Sequence, residues 1–155
     1  MNLSVKVKLH LATGARAPAR ATTGSAGYDV CALLPLDTYV EIPPGERMLI
    51  PTGLFFEIPE NYFITLRPRS GLAFRNGITL LNSPATIDSD YRGELQILLI
   101  NLGKNNFRVS SGDKIAQLLL EKCESPEWEI VPAFEDLNDS ERGAGGFGST
   151  GTRLV

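Results

Sequence analysis

Met48-Leu49-Ile50-Pro51-Thr52-Gly53-Leu54-Phe55-Phe56-Glu57-Ile58 decides the fold class. Two apolar runs flank Thr52-Gly53. Each is too short for a stable helix and rich in the branched and aromatic side chains that suit a pleated surface. The same pattern repeats outward in both directions. Val5-Lys6-Val7-Lys8-Leu9 and Tyr39-Val40-Glu41-Ile42 alternate with the period of a strand. Tyr62 to Leu66, Ile78 to Leu81, Glu94 to Asn101, Phe107 to Val109, Ile115 to Glu121 and Trp128-Glu129-Ile130 read as further strands. Turn chemistry separates them at Pro43-Pro44-Gly45, Pro59-Glu60-Asn61, Leu102-Gly103-Lys104-Asn105-Asn106 and Ser110-Ser111-Gly112-Asp113. Short strands at regular spacing predict an all-β antiparallel sandwich, barrel or jelly roll. The near-continuous run Leu95-Gln96-Ile97-Leu98-Leu99-Ile100 predicts a strand covered on both faces, one of them by a neighbouring subunit.

One short helix is expected, with Ser70 as N-cap, Leu72, Ala73 and Phe74 as its body and Gly77 as its stop. From Glu135 onward the apolar pattern fades. That predicts a packed β body over residues 1–134 and a mobile glycine-rich arm over 135–155, within a single domain. At 155 residues the chain is long enough for one real core, and 43% hydrophobic with 21% charged residues is an ordinary soluble composition. No apolar run is long enough for a membrane helix and the N-terminus shows no signal-peptide block, so no membrane association is expected. Cys31 and Cys123 alone suggest reduced thiols and a cytoplasmic location. A net charge of −3 argues against general nucleic-acid binding but not against one phosphorylated small molecule. The single histidine, His10, lies in an alternating segment and reads as a surface strand residue, which disfavours histidine-based catalysis or metal binding.

Arg142-Gly143-Ala144-Gly145-Gly146-Phe147-Gly148-Ser149-Thr150-Gly151 concentrates glycines, an arginine, two hydroxyls and one aromatic ring. Glycine-dense backbone can turn N–H groups toward an anion, and arginine and hydroxyls add donors. The stretch predicts a flap over something aromatic and polyanionic, such as a nucleotide. Its literal G-x-G-x-x-G lacks the strand and helix of a dinucleotide fold, and no lysine stands where a Walker loop needs one. Four more segments carry candidate chemistry. Asp29 follows small residues in Ser25-Ala26-Gly27-Tyr28-Asp29. Arg69 and Ser70 open the short helix, whose first N–H groups lack partners. Asn82 to Glu94 reads as a hairpin with Asp88, Asp90 and Tyr91 near its turn. Gln117 is the polar residue of a buried strand. Taken singly, each has a structural reading: an Asx turn, a helix cap, turn formers, a cross-strand ring and a satisfied amide.

In this order, Ala26-Gly27-Tyr28-Asp29, Pro68-Arg69-Ser70-Gly71-Leu72-Ala73, Ile87-Asp88-Ser89-Asp90-Tyr91-Arg92-Gly93, Gly112-Asp113-Lys114-Ile115-Ala116-Gln117-Leu118 and Arg142 to Gly151 closely resemble the five motifs of the trimeric dUTP pyrophosphatase (dUTPase) family. The resemblance runs from about Ser25 to Gly151. Ala85 departs from it, standing where the family commonly has glycine; an alanine there strains the backbone only if the position needs a positive φ.

The resemblance implies a β jelly-roll barrel assembled as a homotrimer, with active sites built at subunit interfaces and the arm of one subunit closing over a site framed by the others. It implies hydrolysis of dUTP to dUMP and pyrophosphate by water attack on the α-phosphorus, which keeps uracil out of DNA and supplies dUMP for thymidylate synthesis. On this reading Arg69, Ser70 and Gly71 hold phosphate oxygens, and Arg142 with Gly148, Ser149 and Thr150 closes on the β,γ end. Mg²⁺ is held by phosphates and water with no direct protein ligand, and Asp29 is its outer-shell partner. Asp88 orients the attacking water and Gln117 helps position it. The hairpin from Asn82 through Thr86 and Ile87 to Gln96 reads the uracil edge, Tyr91 excludes a 2′-hydroxyl, and Phe147 stacks on the base. Two alternatives share the fold: a dCTP deaminase-type enzyme, and a nucleotide-binding trimer without turnover.

Overall fold

A computed structural model describes residues 4–147 and residue 149. The chain divides into two compact units, Met1–Glu124 and Ser125–Val155. The first unit is all-β with one short helix. Its strands are β1 (Lys8–Leu11), β2 (Tyr28–Cys31), β3 (Tyr39–Ile42), β4 (Arg47–Glu57), β5 (Tyr62–Arg67), β6 (Ile78–Leu80), β7 (Ala85–Ile87), β8 (Leu95–Asn101), β9 (Phe107–Ser110) and β10 (Lys114–Lys122), with helix α1 (Ser70–Asn76) between β5 and β6. They form two four-stranded sheets, ordered β1-β4-β8-β6 and β2-β10-β5-β7, and the pair β3-β9. The ladders are antiparallel throughout, and they make separate sheets instead of closing into one barrel.

All three sheets turn alternate residues into one core. Val30, Ile42, Ile50, Leu54, Ile64, Leu66, Ile97, Leu99, Val109, Ile115 and Leu118 are buried together in it. Each such side chain contributes about 1.5–3 kcal/mol relative to exposure. Buried Asn101 is fully engaged: its amide donates to the Ile42 and Asn105 carbonyls, and its oxygen accepts the Gly103 N–H.

The structure departs from the sequence reading at several elements. Met48 to Ile58 is not two strands joined at Thr52-Gly53. It is nearly all one strand, β4, whose register with β8 shifts between Pro51 and Leu54. Gly53 has φ +67°, and a Cβ there would press on Leu33 and Ala15. Within the single chain β8 buries one face; Leu98 and Ile100 on the other, the face expected to meet a neighbouring subunit, are half-buried beside exposed Leu49 and Leu81. Ser70 is the first helical residue, not the cap: Arg69 occupies the cap position with extended φ and ψ, and no side chain caps the helix. Leu72 packs against the core, whereas Phe74 is exposed. Gly77 ends the helix in the left-handed conformation, as expected. Ala85 lies in extended β7 opposite Leu66 and has no positive φ, so alanine is unstrained there. His10 is an exposed strand residue packed beside Phe55.

In the second unit Trp128-Glu129-Ile130 is not a strand, and Trp128, Ile130 and Phe134 are exposed. Phe134–Asp136 make a single 3-10 turn. Tight turns follow: the Arg142 Nε donates to the Gly145 carbonyl at 2.7 Å, and the Ser149 N–H to that of Gly146 at 3.0 Å.

Candidate active site

The body gathers the motif residues into two clefts. The first, of about 360 Å³, is lined by Ser25, Ala26, Gly27, Asp29, Arg69, Ser70, Gly71 and Gln117. Register explains the grouping. On the sheet β2-β10-β5-β7, Gln117 pairs with Asp29 on one side and with Arg67 on the other, and α1 begins just past the end of β5. The three motifs therefore meet at one end of the sheet.

A polar network fixes them. Asp29, largely buried, accepts from Arg69 Nε at 3.0 Å and from Lys114 Nζ at 2.8 Å. The Arg69 Nη1 also donates to the Lys114 carbonyl at 3.0 Å. The Gln117 amide donates to the Pro68 carbonyl at 2.9 Å, just before Arg69. Gly27 makes room for that amide, since a Cβ at Gly27 would overlap the Gln117 Oε1. Two cations around one carboxylate leave the cluster with an excess of positive charge. The first N–H groups of α1 have no intrahelical partners and add partial positive charge on the same side. The arrangement can hold a polyanion while keeping Arg69 in a fixed orientation.

The second cleft, of about 260 Å³, is lined by Leu49, Thr86, Ile87, Asp88, Tyr91, Glu94, Leu95 and Gln96. Here the expected hairpin is absent. β7 pairs only with β5, and β8 pairs with β4 and β6, so residues 88–94 cross from one sheet to the other. The slot lies between two strands that share no ladder. β7 is an edge strand, so one side of its backbone is free to pair with a planar ligand. Asp88, Thr86 and Gln96 are exposed; Ile87 is half-buried. The Tyr91 phenol donates to the Glu94 carbonyl at 3.0 Å, and its ring covers Gly93, where a Cβ would collide with it. Asn82 is exposed in the loop before β7 and does not line the slot.

The two clefts are far apart in one chain. Ile87 stands opposite Ile64 on β5, whereas Gln117 stands opposite Arg67, and Asp88 continues away from Gln117. At roughly 3.3 Å per residue the offset along the strand is roughly 10 Å, with two strand spacings added across the sheet. A single chain does not bring Asp88 and Gln117 together.

Arg142, Phe147 and Ser149 belong to the second unit. Phe147 is exposed, with φ +48°. The expectations for Gly148 and Thr150 lie outside the described residues. Among the described residues no three His, Cys, Asp or Glu side chains group as a metal site, and no helix is long and apolar enough to cross a membrane.

Sequence reasoning quoted Gly27, Lys114 and Glu94 within their segments but gave none of them a role in the site. Lys114 reaches Asp29 because β10 bulges between Lys114 and Ala116, which the residue pattern does not reveal. The part played by Glu94 depends on the register shift in β4.

An all-β body with a cationic recess and a separate ring-sized slot defines a class: proteins equipped to hold a small polyanion bearing a planar group. The family model described as dUTPase matches residues 13–151. A deoxyuridine 5'-triphosphate nucleotidohydrolase of Brucella melitensis is 51% identical over 146 residues, covering 94% of this chain and 91% of its own. One from Caulobacter vibrioides is 51% identical over 134 residues, covering 86% and 84%. A solved Staphylococcus bacteriophage 80alpha dUTPase with dUPNHPP superposes with a TM-score of 0.80 at 28% identity, covering 96% of this chain and 100% of its own. A phage phi11 dUTPase, solved with a structural Mg(II) ion, gives 0.74 at 25% identity, covering 84% and 99%. The chain belongs to the dUTPase family.

Proposed function

We propose that this chain hydrolyses dUTP to dUMP and pyrophosphate, with water attacking the α-phosphorus, and that it does so as a homotrimer with shared sites. Family membership supports the reaction. One observation supports the sharing: Asp88 lies just past the end of β7, whereas Gln117 sits two strands across on β10 and is displaced along the strand direction. A site that uses both takes them from different subunits. The apolar outer face of β8, with Leu49 and Leu81 exposed beside Leu98 and Ile100, gives neighbouring copies a surface to bury.

The first cleft then takes the triphosphate. Arg69 donates from the guanidinium N–H groups that Asp29 and Lys114 leave free, and Ser70 and Gly71 add a hydroxyl and backbone N–H groups. Mg²⁺ bound by the triphosphate would neutralise part of its charge. Asp29 suits the outer-shell position: a carboxylate has about four acceptor sites, and Arg69 and Lys114 fill one on each oxygen, leaving others for ordered water. In the slot of another subunit, the free edge of β7 at Thr86 and Ile87 pairs with the uracil edge, with Asn82 and Gln96 flanking it. The Tyr91 ring fills the space a 2′-hydroxyl would need. Asp88 accepts a proton from the attacking water and aims it, and Gln117 completes its positioning. Arg142, Ser149 and Thr150, with the Gly148 backbone, close on the β,γ-phosphates, while Phe147 stacks on the base and excludes bulk water. Most of the acceleration comes from positioning and charge stabilisation. The free thiols Cys31 and Cys123 suit a reducing, cytoplasmic setting.

The test is a screen of nucleoside triphosphates with Mg²⁺, read as pyrophosphate release, alongside the mass of the assembly in solution. Release from dUTP alone by a trimer is expected. Equal release from dCTP or UTP, or full activity in a monomer, overturns the reading.

A further inference from the structure

We infer that Glu94 is a positioning residue for sugar selection, which ties the Tyr91 ring to the bulge in β4. The inference rests on the dUTP-hydrolase reading above. Where β4 shifts register, the Thr52 and Gly53 N–H groups would lose ladder partners. Both instead donate to one oxygen of the Glu94 carboxylate, at 3.1 and 2.7 Å. The buried Thr52 hydroxyl donates to the Leu95 carbonyl, the next residue along. Glu94 and Leu95 are thus fixed to β4 by side-chain bonds exactly where β8 begins its ladder at Leu54.

The same residue is the anchor of the sugar-side ring. Tyr91 is about half exposed, and its hydroxyl is held by the Glu94 carbonyl at 3.0 Å. Gly93 gives the ring room to lie flat, since a Cβ there would collide with the phenol. The other hydrogen bonds Tyr91 makes among the described residues are through its backbone: its N–H donates to the Asp88 carbonyl at 3.3 Å, and its carbonyl accepts from Arg92 Nη1 at 3.0 Å. Ring placement therefore depends on where the Glu94 peptide sits, and that peptide is placed by its own side chain. The carboxylate lines the slot with Oε1 turned to the β4 backbone. Losing it strands two N–H donors and frees the Glu94 carbonyl to drift; the ring then tilts, and space opens at the 2′ position.

Glu94→Ala, Glu94→Gln and Tyr91→Phe are compared with the parent protein for kcat and KM on dUTP and UTP with Mg²⁺, and for Tm. Glu94→Ala is expected to lower the dUTP-over-UTP ratio of kcat/KM by about tenfold, through a higher KM for dUTP and new turnover of UTP. Glu94→Gln is expected to restore the ratio, because its amide oxygen can accept both N–H groups. Tyr91→Phe, which keeps the ring and loses its anchor, is expected to shift the ratio in the same direction as Glu94→Ala. If Glu94→Ala does not fold, Tyr91→Phe and Glu94→Gln still decide: a ratio unchanged in Tyr91→Phe overturns the inference. So does a Glu94→Ala protein with lowered Tm and intact selectivity, which would make Glu94 a fold residue only. A parent protein inert on dUTP overturns the underlying reading, and the inference with it; an active parent with insensitive variants overturns the inference alone.

Discussion

Asp29 Oδ1 holds Arg69 Nε at 3.0 Å. The other oxygen of the same carboxylate holds Lys114 Nζ at 2.8 Å. The carboxylate is thereby tied into the cationic side of the cleft, which makes Asp29 first a group that aims Arg69. Replacing it with alanine releases both cations at once. Asp29→Ala is expected to cost on the order of 10²-fold in kcat/KM for dUTP, the scale of a misaligned phosphate contact. Steady-state kinetics check this. Lys114→Met, which leaves the Arg69–Asp29 pair in place, is expected to cost less; an equal cost would mean that the pair does not act through Arg69.

Gly27→Ala isolates a second contact. Gly27 has no positive φ, so alanine brings no backbone strain, only a methyl group against the Gln117 amide. The amide must leave the Pro68 carbonyl to make room. The expected result is a fall in kcat of about 10- to 100-fold with a small change in Tm, measured by single-turnover kinetics and thermal unfolding. A kcat at the parent value would show that Gln117 does not position the water.

These contacts explain what the residue pattern could and could not disclose. Strand positions from Tyr62 to Leu66 and from Leu95 to Asn101 were legible, because alternation and branched side chains are local properties. Gly77 was legible as a helix stop for the same reason. The continuity of β4 was not: Thr52-Gly53 looks like a turn, and only the Glu94 carboxylate, far along the chain, satisfies the N–H groups there. Asn82 to Glu94 looks like a hairpin because adjacent strands usually pair. The structure sends β7 and β8 to different sheets, a choice made by β5 and β4 through long-range packing. The motifs marked out most of the clefts' residues, but their division into two distant clefts came only from register. Trp128-Glu129-Ile130 has the composition of a strand and no ladder among the described residues.

Asp88→Asn separates binding from turnover. Asp88 is exposed in the slot and, among the described residues, no side chain holds its carboxylate, so the amide should fit without disturbing the fold. A non-hydrolysable dUTP analogue is expected to bind with near-parent affinity by calorimetry. Turnover is expected to fall by about 10²–10⁴-fold, the usual contribution of a general base. Parent-like turnover would remove Asp88 from the reaction.

Glu121 makes one contact whose strength depends on pH. The Thr65 hydroxyl donates to its carboxylate, and Arg67 Nη2 lies 2.7 Å from the same oxygen. The hydroxyl first, and the guanidinium after it, outweigh partial desolvation and hold the Glu121 carboxyl below its ordinary value of 4.5. A carboxyl depressed in the folded state stabilises it above the unfolded pKa, and that contribution disappears as pH falls through the folded pKa. Thr65→Val removes the hydroxyl, so the folded pKa rises back toward 4.5. The parent's advantage in Tm over Thr65→Val should therefore be full at pH 7, shrink below about pH 4.5, and be smaller still at pH 3. Thermal unfolding of both proteins across that range reads it directly. A Tm difference independent of pH would assign the effect to packing of the methyl that valine puts in place of the hydroxyl instead.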